Sequence, residues 1–596
     1  MNSKGFSRLL IIGALLSAAS ILIIIQMIRI QNSTSHQELS RWAEEQFSYA
    51  VENYSPERGN IYDRWGRLLA GNEDVYEIGV MLEFVSNPKT IASTLQGVDD
   101  LTYQDILASA SQEFDPKKSV YAVIADFIPS GVIDVLSDIK QEYEIENPFG
   151  RNNQEPSLRG LIWHPHLKRS YSENSLASNV IGFYSYRDRQ DGIGYYGVEE
   201  YYDDLLAGAP METFMPRNPY LLESLPEVPS GASLVLTIDR EIQAMVEKRL
   251  DEAVKEHEAE SGTVIILNPK NGEILAMATQ PRINLNIYWE TEEQFKDKTP
   301  FNRAISETYE PGSVFKVLTM SAAFDKGIVD EESEFNDSGR FEYGGSVIYN
   351  WNRRGNGKQT MQGCMQKSLN VCLAWVATEL GSEDFYSYMN AFGIGRMTNV
   401  DLGGEEIWPL SIPGDSDWYP IQLATNSFGQ GVAVTPLQMA TAVSAVANDG
   451  KMMKPHVLKA IIQDGQQYNT TPQVLGVPLK PETAKTMTDM LVKSLENESS
   501  LALVEGYKIA GKTGTAEIPV EGEYGIEETN ASFVGWGPAN DPQFLVYVWI
   551  EKPESSPWGS VVAAPVFRDI VKDLVGYLEI PSDGVKEELI ALEGQS

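Results

Sequence analysis

Cysteine is almost missing from this chain: among 596 residues only Cys364 and Cys372 occur. Their spacing fits neither a CxxC redox pair nor a tetrahedral zinc site, so neither chemistry is expected, and no disulfide framework can hold a chain of this size. Two buried free thiols are the expected state, with a single bridge beside Ser368 as the alternative. Histidine is scarce too, at His36, His164, His166, His257 and His456, and no HExxH occurs. His164 and His166 flank Pro165 and read as exposed loop residues, so no metal and no cofactor is expected. Basic charge is in deficit: 47 Lys and Arg stand against 84 Asp and Glu, a net −37. That argues against nucleic acid and anionic lipid surfaces as partners, since both attract basic patches. The acidity reads as a solubility device. Internal repeats and low-complexity segments are lacking, and long hydrophobic runs occur once.

That one run is Leu9 to Ile28, which holds no charged residue and only Ser17, Ser20 and Gln26 as polar ones. Twenty helical residues span about 30 Å, the thickness of a bilayer core. Lys4 and Arg8 precede the run and place residues 1–8 in the cytoplasm, with everything after residue 28 outside. The run exceeds a signal-peptide core of about 7–15 residues, and no small-x-small site follows it. Residues 9–28 are therefore expected to be an uncleaved, single-pass signal anchor in the cell membrane, with the catalytic part extracytoplasmic.

Beyond the anchor, residues 29–55 read as a juxtamembrane segment, with a polar helix from His36 to about Ala50. A first folded domain is expected over 56–225. It opens with alternation around Ile61 and a turn at Asp63 to Gly66, shows helix-like periods over 85–160, and carries a glycine- and tyrosine-rich stretch from Gly192 to Gly208. Prolines at 210, 216, 219, 226 and 229 mark a linker. A second domain follows over 226–580. Leu234 to Ile238 reads as a strand, and Asp239 as the N-cap of a helix with Ile242, Met245, Val246 and Leu250 on one face. Two apolar runs, Thr263 to Leu267 and Glu273 to Ala278, flank Asn268-Pro269-Lys270-Asn271-Gly272 as a hairpin. The middle, about 310–500, is mainly helical by period. Strands return at Tyr507 to Gly514, Ala531 to Trp536 and Phe544 to Ile550, before a helix from about Pro565 to Leu578 and a frayed tail over 581–596. Two strands before a helical block and three after it imply one antiparallel sheet built from both ends, with a cleft between sheet and helical lobe.

Chemistry concentrates in three places. Tyr309-Glu310-Pro311-Gly312 precedes Ser313, and Lys316 follows three residues later; Ser368-Leu369-Asn370 and Lys512-Thr513-Gly514-Thr515 come in that order downstream. This is the SxxK, SxN, KTG set of serine acyl-transferases that use lysine as the base. Pro311 and Gly312 break regular structure, Val314 to Phe324 keeps a helical period, and Gly327 is a C-cap, so Ser313 sits in a first helical turn with Lys316 one turn on. A serine hydroxyl is a weak nucleophile and needs a base. Lysine serves only when neutral, and bringing it from about 10.4 to near 7 takes about 4 kcal/mol of bias against its charged form. Burial and a second cation, Lys512, both push that way. Thr513 and Thr515 suit a substrate carboxylate, Gly514 admits a close substrate backbone, and the N–H groups of Ser313 and Thr515 suit an oxyanion. Ser368 is placed to relay a proton to the leaving amine and Asn370 to orient Lys316. Catalytic roles are thus expected for Ser313, Lys316, Ser368, Asn370 and Lys512, and substrate contacts for Thr513, Gly514 and Thr515.

With these motifs the chain resembles the class B penicillin-binding proteins, and the resemblance covers nearly its whole length. It includes Arg58-Gly59-x-Ile61-x-Asp63-Arg64-x-Gly66, Gly194-x-x-Gly197-Val198-Glu199, Gly272 to Met277, Phe428-Gly429-Gln430-Gly431-Val432-x-x-Thr435-Pro436-Leu437-Gln438, Phe533-Val534-Gly535-x-x-Pro538 and Ala564-Pro565-Val566-Phe567. The central residue of SxN is leucine here, and the outer two carry the roles. The resemblance implies an α/β serine β-lactamase/transpeptidase-like domain, antiparallel sheet plus helical lobe, preceded by an α+β pedestal. It implies a D,D-transpeptidase that crosslinks peptidoglycan stem peptides ending in D-alanyl-D-alanine, releases D-alanine from a Ser313 acyl-enzyme, and is acylated by β-lactams. It also implies a membrane-embedded glycan polymerase as partner. Residues 30–225 are too few for an additional glycosyltransferase domain. The short pedestal leans toward a septal role over an elongation role. A D,D-carboxypeptidase, a β-lactamase or β-lactam sensor, and a non-catalytic scaffold are the alternatives.

Overall fold

The computed structural model describes residues 3–31, 33, 49–54, 56–146, 156–186, 192–216, 228–291, 301–498, 500–518, 528–586 and 588. Two compact units emerge: residues 1–57 with 208–230, and residues 58–207 with 231–596.

In the first unit the apolar run forms a helix, Ser3–Gln31. Gly13–Gln31 has mean hydropathy 2.0 and is long and apolar enough to cross a membrane. Tyr49–Tyr54 pairs antiparallel with Met211–Pro216. The polar helix expected from His36 lies mostly outside the described residues, and its end at Ala50 is strand instead. Likewise the proline-marked linker begins with strand over Met211–Pro216, because Pro216 falls at a strand end, where no ladder N–H is lost.

The second unit opens on a sheet centred on the strand Leu68–Met81, which pairs with Tyr121–Pro129 and Leu161–Tyr171. Ile78, Val80, Ile91, Leu95, Ile106 and Leu161 form the core between this sheet and its helices. The expected Ile61 strand is short, Ile61–Tyr62, and the Asp63 turn is held by the Asp63 carboxylate, which accepts from Trp65 N at 2.9 Å and Arg67 N at 2.8 Å. Beside it Arg58 and Arg169 grip the fully buried Glu199: Arg58 Nε donates to Oε2 and Arg169 Nε to Oε1, both at 2.8 Å. Burial alone would raise the Glu199 pKa, but Arg169 and Arg58 outweigh it and hold the carboxyl below its ordinary value. The strand Ser233–Leu236 lies between Ile61–Tyr62 and Leu458–Gln463, so one sheet runs from the pedestal into the region that follows.

The catalytic sheet contains β1 (Ser261–Leu267), β2 (Ile274–Gln280), β3 (Ala510–Glu517), β4 (Thr529–Gly537) and β5 (Phe544–Glu551). Its order is β2-β1-β5-β4-β3, antiparallel throughout, as the two-plus-three pattern requires. The β1–β2 hairpin turns at Gly272, φ +83°, where a Cβ would lie 2.2 Å from Lys454 O. Strand side chains alternate between faces, and here both faces are buried. Val264, Ile266, Phe533 and Val546 pack under α1 (Arg240–Glu256) and α6 (Ala563–Tyr577). Asp239 caps α1 by accepting from Glu241 N and Ile242 N. Phe567 of α6 is fully buried, and burying such a side chain contributes about 1.5–3 kcal/mol.

The other face carries the helical lobe: Ile265, Val534 and Tyr547 share one core with Val314, Phe315 and Leu318. The lobe contains α2 (Lys316–Lys326), α3 (Met361–Gln366), α4 (Asn370–Leu380) and α5 (Pro481–Asn497). It is less helical than its periodicity predicts. Between α2 and α3 a β arm contains two small antiparallel pairs, Glu334–Asp337 with Gly357–Thr360 and Arg340–Tyr343 with Ser346–Tyr349. Strands of four residues are too short to print a period, and a polar staple holds them: Asp337 accepts from Gly339 N, Asn350 Nδ2, Asn356 N and Asn356 Nδ2.

Candidate active site

Ser313 lies in a tight 3-10 turn, Gly312–Phe315, that runs directly into α2, and α2 ends at Gly327 in the left-handed conformation, φ 77°. The segment before the serine is clamped by the Phe428–Gln438 motif. Tyr309 and Val434 exchange backbone hydrogen bonds at 3.0 Å, Gly312 N donates to Gly429 O at 3.0 Å, and Gly431 N donates to Glu310 Oε1 at 2.9 Å. Gly312 has φ +58°, and a Cβ there would lie 2.7 Å from Thr515 O. The glycine thus lets the Ser313 turn sit directly against β3.

Lys316 points inward and is fully buried. Its Nζ donates to Ser368 O at 2.8 Å and Asn370 Oδ1 at 2.7 Å, and lies 3.2 Å from Ser368 Oγ. The SxxK and SxN elements therefore meet at one nitrogen. A neutral amine has two N–H groups and one lone pair. The two carbonyl oxygens take the two N–H groups, and the lone pair is left for a hydroxyl. Burial, and next the charge of Lys512, hold the Lys316 pKa well below the ordinary lysine value. Lys512 is itself lowered to about 8 by burial, with Glu498 pulling the other way.

Ser368 turns the chain between α3 and α4 with φ +53°, a left-handed conformation that costs a non-glycine residue about 1–2 kcal/mol. Ser368 N donates to Met365 O and Leu369 N to Cys364 O. This reversal lays the first turn of α4 beside α3 and brings Cys364 and Cys372 to a Cα separation of 6.1 Å, where they form a disulfide. The expectation of free thiols is thereby corrected: the bridge closes the very turn that presents Ser368 and Asn370, and only the folded-back geometry reveals it.

β3 is an edge strand of its sheet, so one row of its backbone groups is left for a ligand. Lys512 Nζ bonds Thr513 O at 3.1 Å and Thr513 Oγ1 at 3.4 Å, and Thr515 Oγ1 accepts from Gly559 N at 3.0 Å. A Cβ on Gly514 would lie 2.2 Å from Ser532 Oγ and 3.0 Å from Val314 Cγ1. The glycine is thus required by the sheet and by the Ser313 turn behind it, rather than by the open side of the strand. A cavity of about 240 Å³ adjoins Lys512 and Thr513 and is lined by Glu498, Gln366 and Ser560 among others. The motifs did not point to Glu498: it follows α5, apart in sequence from all three, and only its place opposite Lys512 marks it.

A family model for the penicillin binding protein transpeptidase domain matches residues 262–572, and one for the penicillin-binding protein dimerisation domain matches residues 53–219. The chain belongs to the class B penicillin-binding proteins. It is 31% identical over 571 residues to the peptidoglycan D,D-transpeptidase FtsI of Escherichia coli K12, covering 92% of this chain and 89% of FtsI. It is also 31% identical over 554 residues to the stage V sporulation protein D of Bacillus subtilis, covering 89% and 79%. Among solved structures, penicillin binding protein 2X of Streptococcus thermophilus superposes with TM-score 0.73 at 22% identity, covering 88% of this chain and 80% of that one. Penicillin binding protein 3 of Mycobacterium tuberculosis, solved with aztreonam, gives 0.66 at 24%, covering 89% and 98%. As a class B penicillin-binding protein, this chain is a serine-type peptidoglycan D,D-transpeptidase.

Proposed function

We propose that this transpeptidase works through an acyl-enzyme on Ser313. Lys316 Nζ takes the Ser313 hydroxyl proton as Oγ bonds to the carbonyl carbon of the penultimate D-alanine of a stem peptide. The carbonyl oxygen becomes an oxyanion held by the N–H groups of Ser313 and Thr515. The C–N bond then breaks, its electron pair staying on the terminal D-alanine nitrogen, which receives a proton through Ser368. An amine from a second stem peptide attacks the ester, loses its proton along the same route, and returns Oγ to Ser313. Asn370 holds Lys316, while Lys512, Thr513 and Thr515 receive the terminal carboxylate and Gly514 keeps their strand against the nucleophile turn. The observation that carries this reading is the buried Lys316 nitrogen, whose two N–H groups are taken by fixed carbonyls of the SxN turn. A β-lactam presents a strained amide to the same serine and leaves an ester in place of the peptide's.

Labelling the full chain with a fluorescent penicillin, then mapping the modified peptide, tests it. The adduct belongs on Ser313, and Lys316→Ala is expected to slow its formation about 10²–10⁴-fold, the range for loss of a general base. An adduct on another residue overturns the assignment. The reading extends to the cell: the Ser3–Gln31 helix anchors the chain with the catalytic unit outside, beside a membrane-embedded glycan polymerase, at the septum rather than the side wall. The compact pedestal supports the septal role, and a fluorescent fusion spread evenly along the side wall would remove it.

A further inference from the structure

Two tryptophans from opposite walls meet at the mouth of the cleft. Trp351 sits in the loop of the β arm between the strands Ser346–Tyr349 and Gly357–Thr360. The two residues before it are fastened to the start of α4: Tyr349 O accepts from Asn370 Nδ2 at 3.4 Å, and Asn350 Oδ1 accepts from Val371 N at 3.2 Å. Arg353 lies over the Tyr349 ring at 5.4 Å and stiffens this loop. Trp558 comes from the loop between β5 and α6. Gly559, the next residue, gives its N–H to Thr515 Oγ1, and a Cβ there would lie 2.0 Å from Gly514 O, so this loop rides on the lip of β3. The two indoles stand edge to face with centroids 5.3 Å apart. One therefore extends from the Ser368–Asn370 wall and the other from the Lys512–Thr515 wall, and they touch across the gap between. Trp351 keeps 62% of its surface exposed, so this ring stands clear of the core with Trp558 against it.

An extended peptide laid along an unpaired strand edge lies about 4.7–4.9 Å from it, which puts an acyl donor beside β3 within the space the two rings bridge. We propose that Trp351 and Trp558 form a clasp over the donor channel that admits a thin extended peptide end and resists a bulky group beside the bond to be broken. The contact is ring edge against ring face, with no hydrogen bond, so it yields to a ligand and discriminates rather than blocks. The clasp determines specificity and takes no part in proton transfer. It rests on the Ser313 acyl-enzyme reading.

The test measures Ser313 acylation rates in the detergent-solubilised full chain with 6-aminopenicillanic acid, whose side chain is a bare amine, and with a naphthyl-substituted penicillin. Trp351→Ala and Trp558→Ala should each raise the bulky-to-small rate ratio about tenfold, within the range a pocket contact supplies, and Trp351→Phe should move it much less. The double variant should match either single one, because removing either ring opens the same clasp. The ratio is taken on one protein sample, so partial misfolding cancels. An unchanged ratio in both alanine variants overturns the clasp while the Ser313 adduct still forms, and so does a falling ratio, which would make the rings a binding plate. A wild-type chain with no adduct at Ser313 overturns both readings together.

Discussion

A lysine accepts a proton only while it lacks one, and a neighbouring lysine helps only while it keeps its own. In the proposed mechanism Lys316 and Lys512 divide these states between them. Burial and then the charge of Lys512 hold Lys316 well below its ordinary pKa, and burial brings Lys512 to about 8 against the pull of Glu498. Acylation by a fluorescent penicillin should therefore rise with pH as Lys316 loses its proton and fall above about 8 as Lys512 loses its own. Glu498→Gln removes the charge that favours protonated Lys512, so the falling limb should move to lower pH. A pH series from about 5 to 10 on both proteins reads the shift, and an unmoved limb assigns it to another group. At this scale the three motifs were plain in the sequence, because catalysis demands fixed residue types at fixed short spacings. Glu498, Trp351 and Trp558 were not, since each meets its partner across a gap that the chain spans only after folding.

At the scale of elements, small residues decide how closely β3 and the nucleophile turn approach. Gly514→Ala puts a methyl group against Ser532 Oγ and Val314, and forcing such a group into a packed contact costs about 1–3 kcal/mol. The variant should lose both melting temperature and penicillin acylation, whereas unchanged acylation would show that the strand has room to move. The Cys364–Cys372 bridge closes a short loop around Ser368, and chain-entropy arguments give such a bridge about 2–3 kcal/mol. Cys364→Ser with Cys372→Ser should lower stability in urea by that amount, and reductant should do the same to the native chain. The catalytic sheet was readable from strand count and the β1–β2 hairpin. The β arm was not, because its strands are four residues long and its order comes from the Asp337 carboxylate rather than from alternation.

At the scale of the whole molecule, Glu199 joins sequence segments that lie far apart. Arg58 and Arg169 hold it charged inside the fold, and removing one partner from a buried pair costs about 3–5 kcal/mol. Glu199→Gln should lower the urea-unfolding free energy by that order. Since the folded pKa lies below the ordinary 4.5, the carboxylate stabilises the fold fully above that value, and its contribution disappears as pH falls through the folded one. Acid unfolding should accordingly begin at a higher pH in chains whose Arg58 is replaced. The sheet that carries Ile61, Leu234 and Ile461 side by side was invisible in the sequence, since local pattern carries no register between segments hundreds of residues apart. The strand order β2-β1-β5-β4-β3 also bears on how the enzyme is born. β3 emerges from the ribosome before β5, yet can join the hairpin only through it, so the lysine-bearing edge has no place in this sheet until Phe544–Glu551 has been synthesised. Under the proposed mechanism, a nascent chain that already displays its serine should thus stay inert toward antibiotic and substrate alike until that strand arrives.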